Sequence, residues 1–266
     1  MSDISEAQSS FLELDELSRK RSPIHNRHPL AKLFVTLLYL VCLLSFPRYQ
    51  LSGMMVLVLY PVLAFQLADI PLRLCFYKLR VVLPLVCAVG IFNPIFDRAT
   101  MLTLGSLRIS YGMVSMLTLM LKGVFSLMAS FLLIATTSMD ALCAGLRRLH
   151  VPGLLVTLLL LTFRYISVML EEVSVMWEAY HLRAPGQKGI HISAWGSFLG
   201  QLLLRSMDRA QELYESMQLR GFRGEFFYAE GSRFTAADAA YTFGWGAAFL
   251  LARLVDLPQL LGSLFV

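Results

Sequence analysis

The sequence predicts an all-α polytopic membrane protein, with about five transmembrane helices and a helical cytoplasmic module. Three observations predict this: composition, the lengths of the apolar runs, and the placement of basic residues between them. Of 266 residues, 57% are A, V, I, L, M, F, W, Y or C and only 15% are charged. Soluble domains run at about 45–50% apolar, even counting glycine, and roughly 25% charged. The mean hydropathy is +0.64. Surplus apolar surface on this scale needs lipid to face. It excludes a soluble globular enzyme as the default and excludes disorder, which needs low hydrophobicity.

A spanning helix needs about 20 mostly apolar residues. Residues 30–46 form the first run, stopped by Pro47-Arg48. Residues 51–67 form the second, followed by Asp69 and Pro71. The third, 81–96, is short and contains Pro84; Asn93-Pro94 near its end signals a turn, because the residue before a proline avoids the helical region. Tyr111–Thr136 is the fourth and strongest, and 239–254 is the fifth. The first 29 residues are polar, acidic as well as basic, and have no short apolar core of a cleaved signal peptide. Cys42, Cys75, Cys87 and Cys143 form no C-x-x-C and read as buried free thiols rather than a disulfide frame or zinc site.

Cytoplasmic loops carry an excess of Lys and Arg. Arg19, Lys20, Arg21, Arg27 and Lys32 precede or open the first span, so the N-terminus is expected inside. Arg48 alone follows that span, then Arg73, Lys78 and Arg80 after the second, Arg98 and Arg108 after the third, and Arg147 and Arg148 after the fourth. The leucine-rich run 153–168 would by hydropathy also span. If it crossed, Arg183, Lys188, Arg205, Arg209, Arg220 and Arg223 would lie outside, and 194–204 is too short to bring them back. The expectation is therefore four segments: 1–29 cytoplasmic, 30–136 with spans one to four, 137–238 cytoplasmic, and 239–266 with the last span. The net charge of +5 then reflects orientation, with nucleic acid not expected as a partner.

Inside that insertion, Pro152 suits a helix start and Pro185-Gly186 a helix stop. A second helix is expected from about Ser193 to Leu219, with Gly221 where a terminating glycine sits. The two helix ends match: Glu178-Ala179-Tyr180-His181-Leu182-Arg183-Ala184 against Glu215-Ser216-Met217-Gln218-Leu219-Arg220-Gly221. An arginine in a last turn can simply complement the helix dipole, worth about 0.3–1 kcal/mol. Two copies in one cytoplasmic insertion point instead to docking. The small residue lets another surface approach, and the guanidinium can grip a carboxylate bidentately. Leu182, Arg183, Ala184, Leu219, Arg220 and Gly221 are the candidate partner-binding residues, supported by Glu178 and Glu215.

These cassettes resemble those of the transmembrane T component of energy-coupling factor transporters, in particular the cobalt-type form called CbiQ. Ser22-Pro23-Ile24-His25-Asn26-Arg27-His28-Pro29-Leu30-Ala31-Lys32, Asn93-Pro94-Ile95-Phe96 and Leu121-Lys122-Gly123 support the resemblance, which covers nearly the whole chain. The family motif is Ala-Arg-Gly or close to it; the first copy here has Ala184 in place of the glycine. The resemblance implies a multi-pass coupling subunit of a prokaryotic plasma membrane. Its partners would be two ABC-type ATPase subunits and a small substrate-binding membrane subunit, with cobalt or nickel as cargo, or alternatively a vitamin. No G-x-x-x-x-G-K-[ST] is present, so ATP is expected on the partners and no cofactor on this chain itself.

Other constellations carry less. His25-x-x-His28 has no third ligand nearby, and the methionines fit gap-filling in apolar helices better than a soft-metal path, so no metal residue is assigned. Gly244-Trp245-Gly246 reads as a close-approach site. Lys122, about midway along the fourth span, is a candidate intramembrane interface residue, or else pairs with a backbone carbonyl. No catalytic residue is assigned. A membrane-embedded lipid-modifying enzyme would need acidic or histidine side chains within the spans, which are nearly absent. A stand-alone secondary transporter would show paired broken helices or larger repeats.

Overall fold

The structure, a computed structural model, describes residues 9, 13, 15–20, 22–47, 51–96, 100–104, 107–187, 189–224 and 234–254. Arg21, Arg48, Arg98 and Lys188, which enter the charge reading, lie outside these residues. The described chain is all-α apart from one small hairpin, and its contacts group it into two units.

The first unit opens with α1, Pro29–Ser45. Its start is set by Pro29, which has no N–H to satisfy at the first helical position, and by His28, whose Nδ1 accepts the Leu30 N–H at 3.2 Å. The expected second span is divided into α2, Leu51–Val56, and α3, Leu59–Leu67. Pro61 explains the division. It cannot donate to the Leu57 carbonyl four residues back, and its ring crowds that carbonyl. The chain tightens instead, with the Leu57 N–H bonded to Met54 O at 3.0 Å and the Val58 N–H to Met55 O at 3.2 Å. Tyr39 Oη then donates to the stranded Leu57 carbonyl at 3.3 Å. α3 ends on Asp69 in the left-handed region (φ 53°), with the Ile70 N–H closing back to Phe65 O at 3.3 Å.

α4, Leu72–Phe96, begins nine residues before the expected third span. The stretch holding Arg73 and Arg80, which the charges marked as a loop, is helical: the positive-inside rule assigns a compartment, not a backbone conformation. The turn expected at Asn93-Pro94 is also absent, since α4 runs two residues past Pro94. So near a helix end a proline forfeits one ladder bond without stopping the helix. Strands β1, Thr100–Leu104, and β2, Leu107–Ser110, pair antiparallel and lead into α5, Tyr111–Thr136, whose bounds equal the sequence expectation. Ser110 Oγ caps α5 by accepting the Met113 N–H at 3.3 Å. α4 and α5 pack closely: a Cβ on Gly123 would meet Val86 at 3.0 Å.

α9, Ala236–Leu254, completes this unit and starts three residues before the expected fifth span. Asp238 supplies one half of a capping box there: its Oδ2 accepts the Thr235 N–H at 2.9 Å and also the Thr235 hydroxyl at 2.7 Å. Tyr39 of α1, Tyr60 of α3, and Trp245 and Phe249 of α9 form the aromatic centre of the core, with Tyr60 and Trp245 edge-to-face at 4.8 Å. Gly246 lets α9 approach α1, where a Cβ would lie 3.5 Å from Leu38.

The second unit contains α6, Met139–Arg148; α7, Gly153–Arg183; and α8, Ile192–Leu219. α6 ends on left-handed His150 (φ 63°), with the Val151 N–H bonded to Leu146 O at 3.3 Å, and Pro152 then starts α7. Among the described residues two helices, α5 and α7, are long and apolar enough to cross a bilayer; α1, Gly53–Leu67 and Val82–Pro94 are shorter apolar helices.

Candidate functional site: the arginine-tipped helix ends

The matched cassettes stand at the ends of α7 and α8, each closed differently. α7 ends on Arg183, and the Ala184 N–H bonds to Tyr180 O at 3.0 Å. Ala184 has φ −128°, a conformation any residue adopts, so the position that lacks the family glycine does not need one. The left-handed residue comes at Gly186 (φ +93°). Tyr180 holds the turn: its hydroxyl donates to Gln187 Oε1 at 2.9 Å and accepts the His191 N–H at 3.2 Å. His191 in turn caps α8, its Nδ1 accepting the Ser193 N–H at 3.4 Å.

α8 ends in a Schellman motif. The Phe222 N–H reaches Met217 O at 3.0 Å, the Gly221 N–H reaches Gln218 O at 2.9 Å, and Gly221 is left-handed (φ +79°). Arg220 is the cap residue itself. At both ends the leucine before the arginine is exposed, Leu182 at 84% and Leu219 at 90%, and so are both arginines. Glu178 and Glu215 are exposed; Glu215 Oε1 accepts from Gln211 Nε2 at 3.2 Å.

α7 and α8 meet side by side. One groove of about 510 Å³ is bordered by Val175, Ala179 and Arg183 of α7 and by Ala194, Phe198 and Gln201 of α8. Arg183 therefore lies beside the start of α8. Arg220 lies at its far end, 22 residues beyond Phe198, or roughly 33 Å at ~1.5 Å per residue. The two exposed arginines thus stand at opposite ends of one helix pair.

The histidines of the N-terminal motif are structural elements of the other unit. His25 Nε2 lies 3.0 Å from Leu17 O and 3.2 Å from Ala135 O. Carbonyls only accept, so Nε2 carries the proton and Nδ1 accepts from Ser22 Oγ at 2.7 Å. Burial holds this imidazole below its usual pKa; the two carbonyls oppose that, and the Lys32 and Lys20 charges reinforce it. The His28 N–H donates to Asp238 Oδ1 at 3.1 Å. No group of three metal-ligating side chains occurs among the described residues.

A family model described as CbiQ, cobalt transport protein, matches residues 20–229. The chain belongs to this family. It is 34% identical over 98 residues to the nickel permease LarQ of Lactiplantibacillus plantarum, covering 37% of this chain and 36% of that protein. It is 33% identical over 96 residues to the cobalt transport protein CbiQ of Rhodobacter capsulatus, covering 35% and 38%. It is 26% identical over 241 residues to the energy-coupling factor transporter transmembrane protein EcfT of Ruminiclostridium cellulolyticum, covering 83% and 88%. The chain thus spans little more than a third of the length of the first two relatives.

In this CbiQ-family protein Lys122 has a defined local task. Its Nζ donates to Phe46 O at 2.6 Å and to Leu44 O at 3.3 Å, the orphan carbonyls at the end of α1. Arg253 of α9 joins it, donating to Ser45 O at 3.3 Å and lying over the Phe46 ring at 4.9 Å. At the opposite end Lys32 of α1 donates to Thr136 O, where α5 stops. Sequence reasoning missed Arg253, Tyr180 and Asp238. Only Asp238 had a sequence signal, the T-x-x-D spacing from Thr235.

Proposed function

We propose that the chain is the non-catalytic transmembrane coupling subunit of an energy-coupling factor ABC importer. Leu182-Arg183-Ala184 and Leu219-Arg220-Gly221 dock in equivalent grooves of two ATPase subunits. The carrying observation is the pair of exposed leucine–arginine tips at opposite ends of the α7/α8 pair. Leucine side chains more than four-fifths exposed next to a cation fit a partner groove with an apolar floor and a carboxylate wall. ATP binds and is hydrolysed on the partners, and this chain holds no cofactor. Movement of the ATPases reaches a small substrate-binding membrane subunit through α7 and α8.

In this reading the N-terminus is cytoplasmic, the apolar first half of α7 stays on the cytoplasmic side, and the membrane is a prokaryotic plasma membrane. Lys122, besides its carbonyl bonds, borders the face offered to the substrate subunit. Cobalt or nickel is the favoured cargo, on the family description and on the names of the LarQ and CbiQ relatives. The longest alignment is to a relative whose name carries no metal, which keeps vitamin uptake as the second reading.

The test is co-purification of the ATPase subunits with full-length Arg183→Glu/Arg220→Glu. The double variant is expected to insert normally and lose both subunits. Undiminished recovery of both would overturn the docking mechanism. Uptake of radioactive cobalt against nickel by cells carrying the whole transporter decides the cargo.

A further inference from the structure

We propose that the ion pair between Glu172 of α7 and Arg205 of α8 is the positioning contact that sets the angle between the two arginine-tipped helices. Its structural half stands alone; its functional half rests on the docking reading above. The Glu172 carboxylate and the Arg205 guanidinium meet directly. Arg205 borders both grooves between the helices, the one reaching Arg183 and the one reaching Glu212. The pair therefore sits where α7 and α8 cross.

What surrounds it explains why it matters. α8 has no buried residue among those described, and α7 buries only Gly153, Val156 and Thr157, near its start. Helix crossing angles are ordinarily fixed by interdigitated side-chain ridges. Here half-buried side chains meet without a closed core, so the crossing has little apolar packing to define its angle. A guanidinium–carboxylate contact is directional and supplies that definition. The side chains remain 31% and 50% exposed, so the contact is weak enough to yield and re-form.

The lever arms make a small change large. Eleven residues separate Glu172 from Arg183 and fifteen separate Arg205 from Arg220, arms of roughly 16 and 22 Å. A ~10° change at the crossing moves the farther tip by roughly 4 Å. Glu171, Asp208, Arg209 and Glu212 line the same groove, with Arg209 held by Glu212 at 3.3 Å, so a reversed charge at 172 meets two arginines.

The experiment places spin labels, as unnatural amino acids, at Gln187 and Arg223, just beyond the tips of the full chain in nanodiscs. Glu172→Arg and the milder Glu172→Gln are expected to shift or broaden the label-to-label distance. In the complete transporter they are expected to cut ATP-driven uptake severalfold, with the ATPase subunits still co-purifying. Glu172→Arg/Arg205→Glu restores both readouts. Distances unchanged in both single variants, or a charge swap as broad as they are, would overturn the positioning role. Changed distances with full uptake would overturn its part in transport. Absence of ATPase subunits from the unmodified chain would instead defeat the docking reading, and the distances would still decide the angle.

Discussion

Replacing Asp238 by alanine is expected to be among the costliest single changes in the unit built from α1–α5 and α9. Its side chain is buried and accepts three bonds, from the His28 N–H at 3.1 Å, the Thr235 N–H at 2.9 Å and the Thr235 hydroxyl at 2.7 Å. Alanine strands the buried His28 N–H, at about 2 kcal/mol within the 1–3 range for such a group. With the lost cap on the exposed Thr235 N–H, worth about 1 kcal/mol, the total is about 3 kcal/mol. For a chain of this size that lowers the unfolding midpoint by roughly 8 °C, measurable by tryptophan fluorescence in detergent. Asn must turn an N–H₂ toward one donor and should fall between. The group also carries a pH signature. Burial disfavours the charged carboxylate, but the Thr235 hydroxyl and N–H, the His28 N–H and the nearby Arg27 charge outweigh it, holding the pKa below its usual 3.8. A lowered folded pKa contributes stability above the unfolded value and loses it as pH falls through the folded one. The gap between wild type and Asp238→Asn should therefore be constant near neutrality and shrink below about pH 3.8. An Ala midpoint equal to wild type, or a gap that widens in acid, would refute the reasoning.

Tyr39→Phe should cost about 1 kcal/mol by leaving the Leu57 carbonyl without its donor, and much less in a Pro61→Ala background, where residue 61 can donate instead; a double-mutant cycle of thermal midpoints reads the coupling. Lys122→Met should destabilise by about 2 kcal/mol through loss of its two carbonyl bonds, and Lys122→Arg should recover part of this in the same melt. Gly221→Ala forces a side chain into the left-handed region, and should cost about 1 kcal/mol and fray the Arg220 tip, seen as faster amide exchange at Phe222.

The periodicity of apolar residues made most of the fold legible. Tyr111–Thr136 was bounded correctly because a capping serine and an apolar run of spanning length coincide there. The ends of α7 and α8 were legible because Pro185, Gly186 and Gly221 are local signals. The errors have distinct physical causes. The division at Pro61 and the three-residue extension of α9 depend on i+4 or i+3 partnerships that hydropathy averages away, the early start of α4 is masked by basic residues that mark a compartment and not a conformation, and Pro94 costs too little near a helix end to make the expected turn. Pairing of Lys122 with a backbone carbonyl was one of two roles its place in an apolar run suggested, but which carbonyls it meets, Arg253 over Phe46 and the Glu172–Arg205 pair are contacts between distant parts of the chain that nothing local in the sequence encodes. The site was legible as a repeated motif; how Tyr180 and a Schellman turn separately hold its two copies was not.

α1 is held to α5 near both of its own ends. Lys32 of α1 holds the last turn of α5, and Lys122 of α5 holds the last carbonyls of α1. A slide of one helical turn, about 5.4 Å, would break both contacts together. The pair thus resists piston-like displacement along its axes, and equally any tilt that would part either end of α1 from α5.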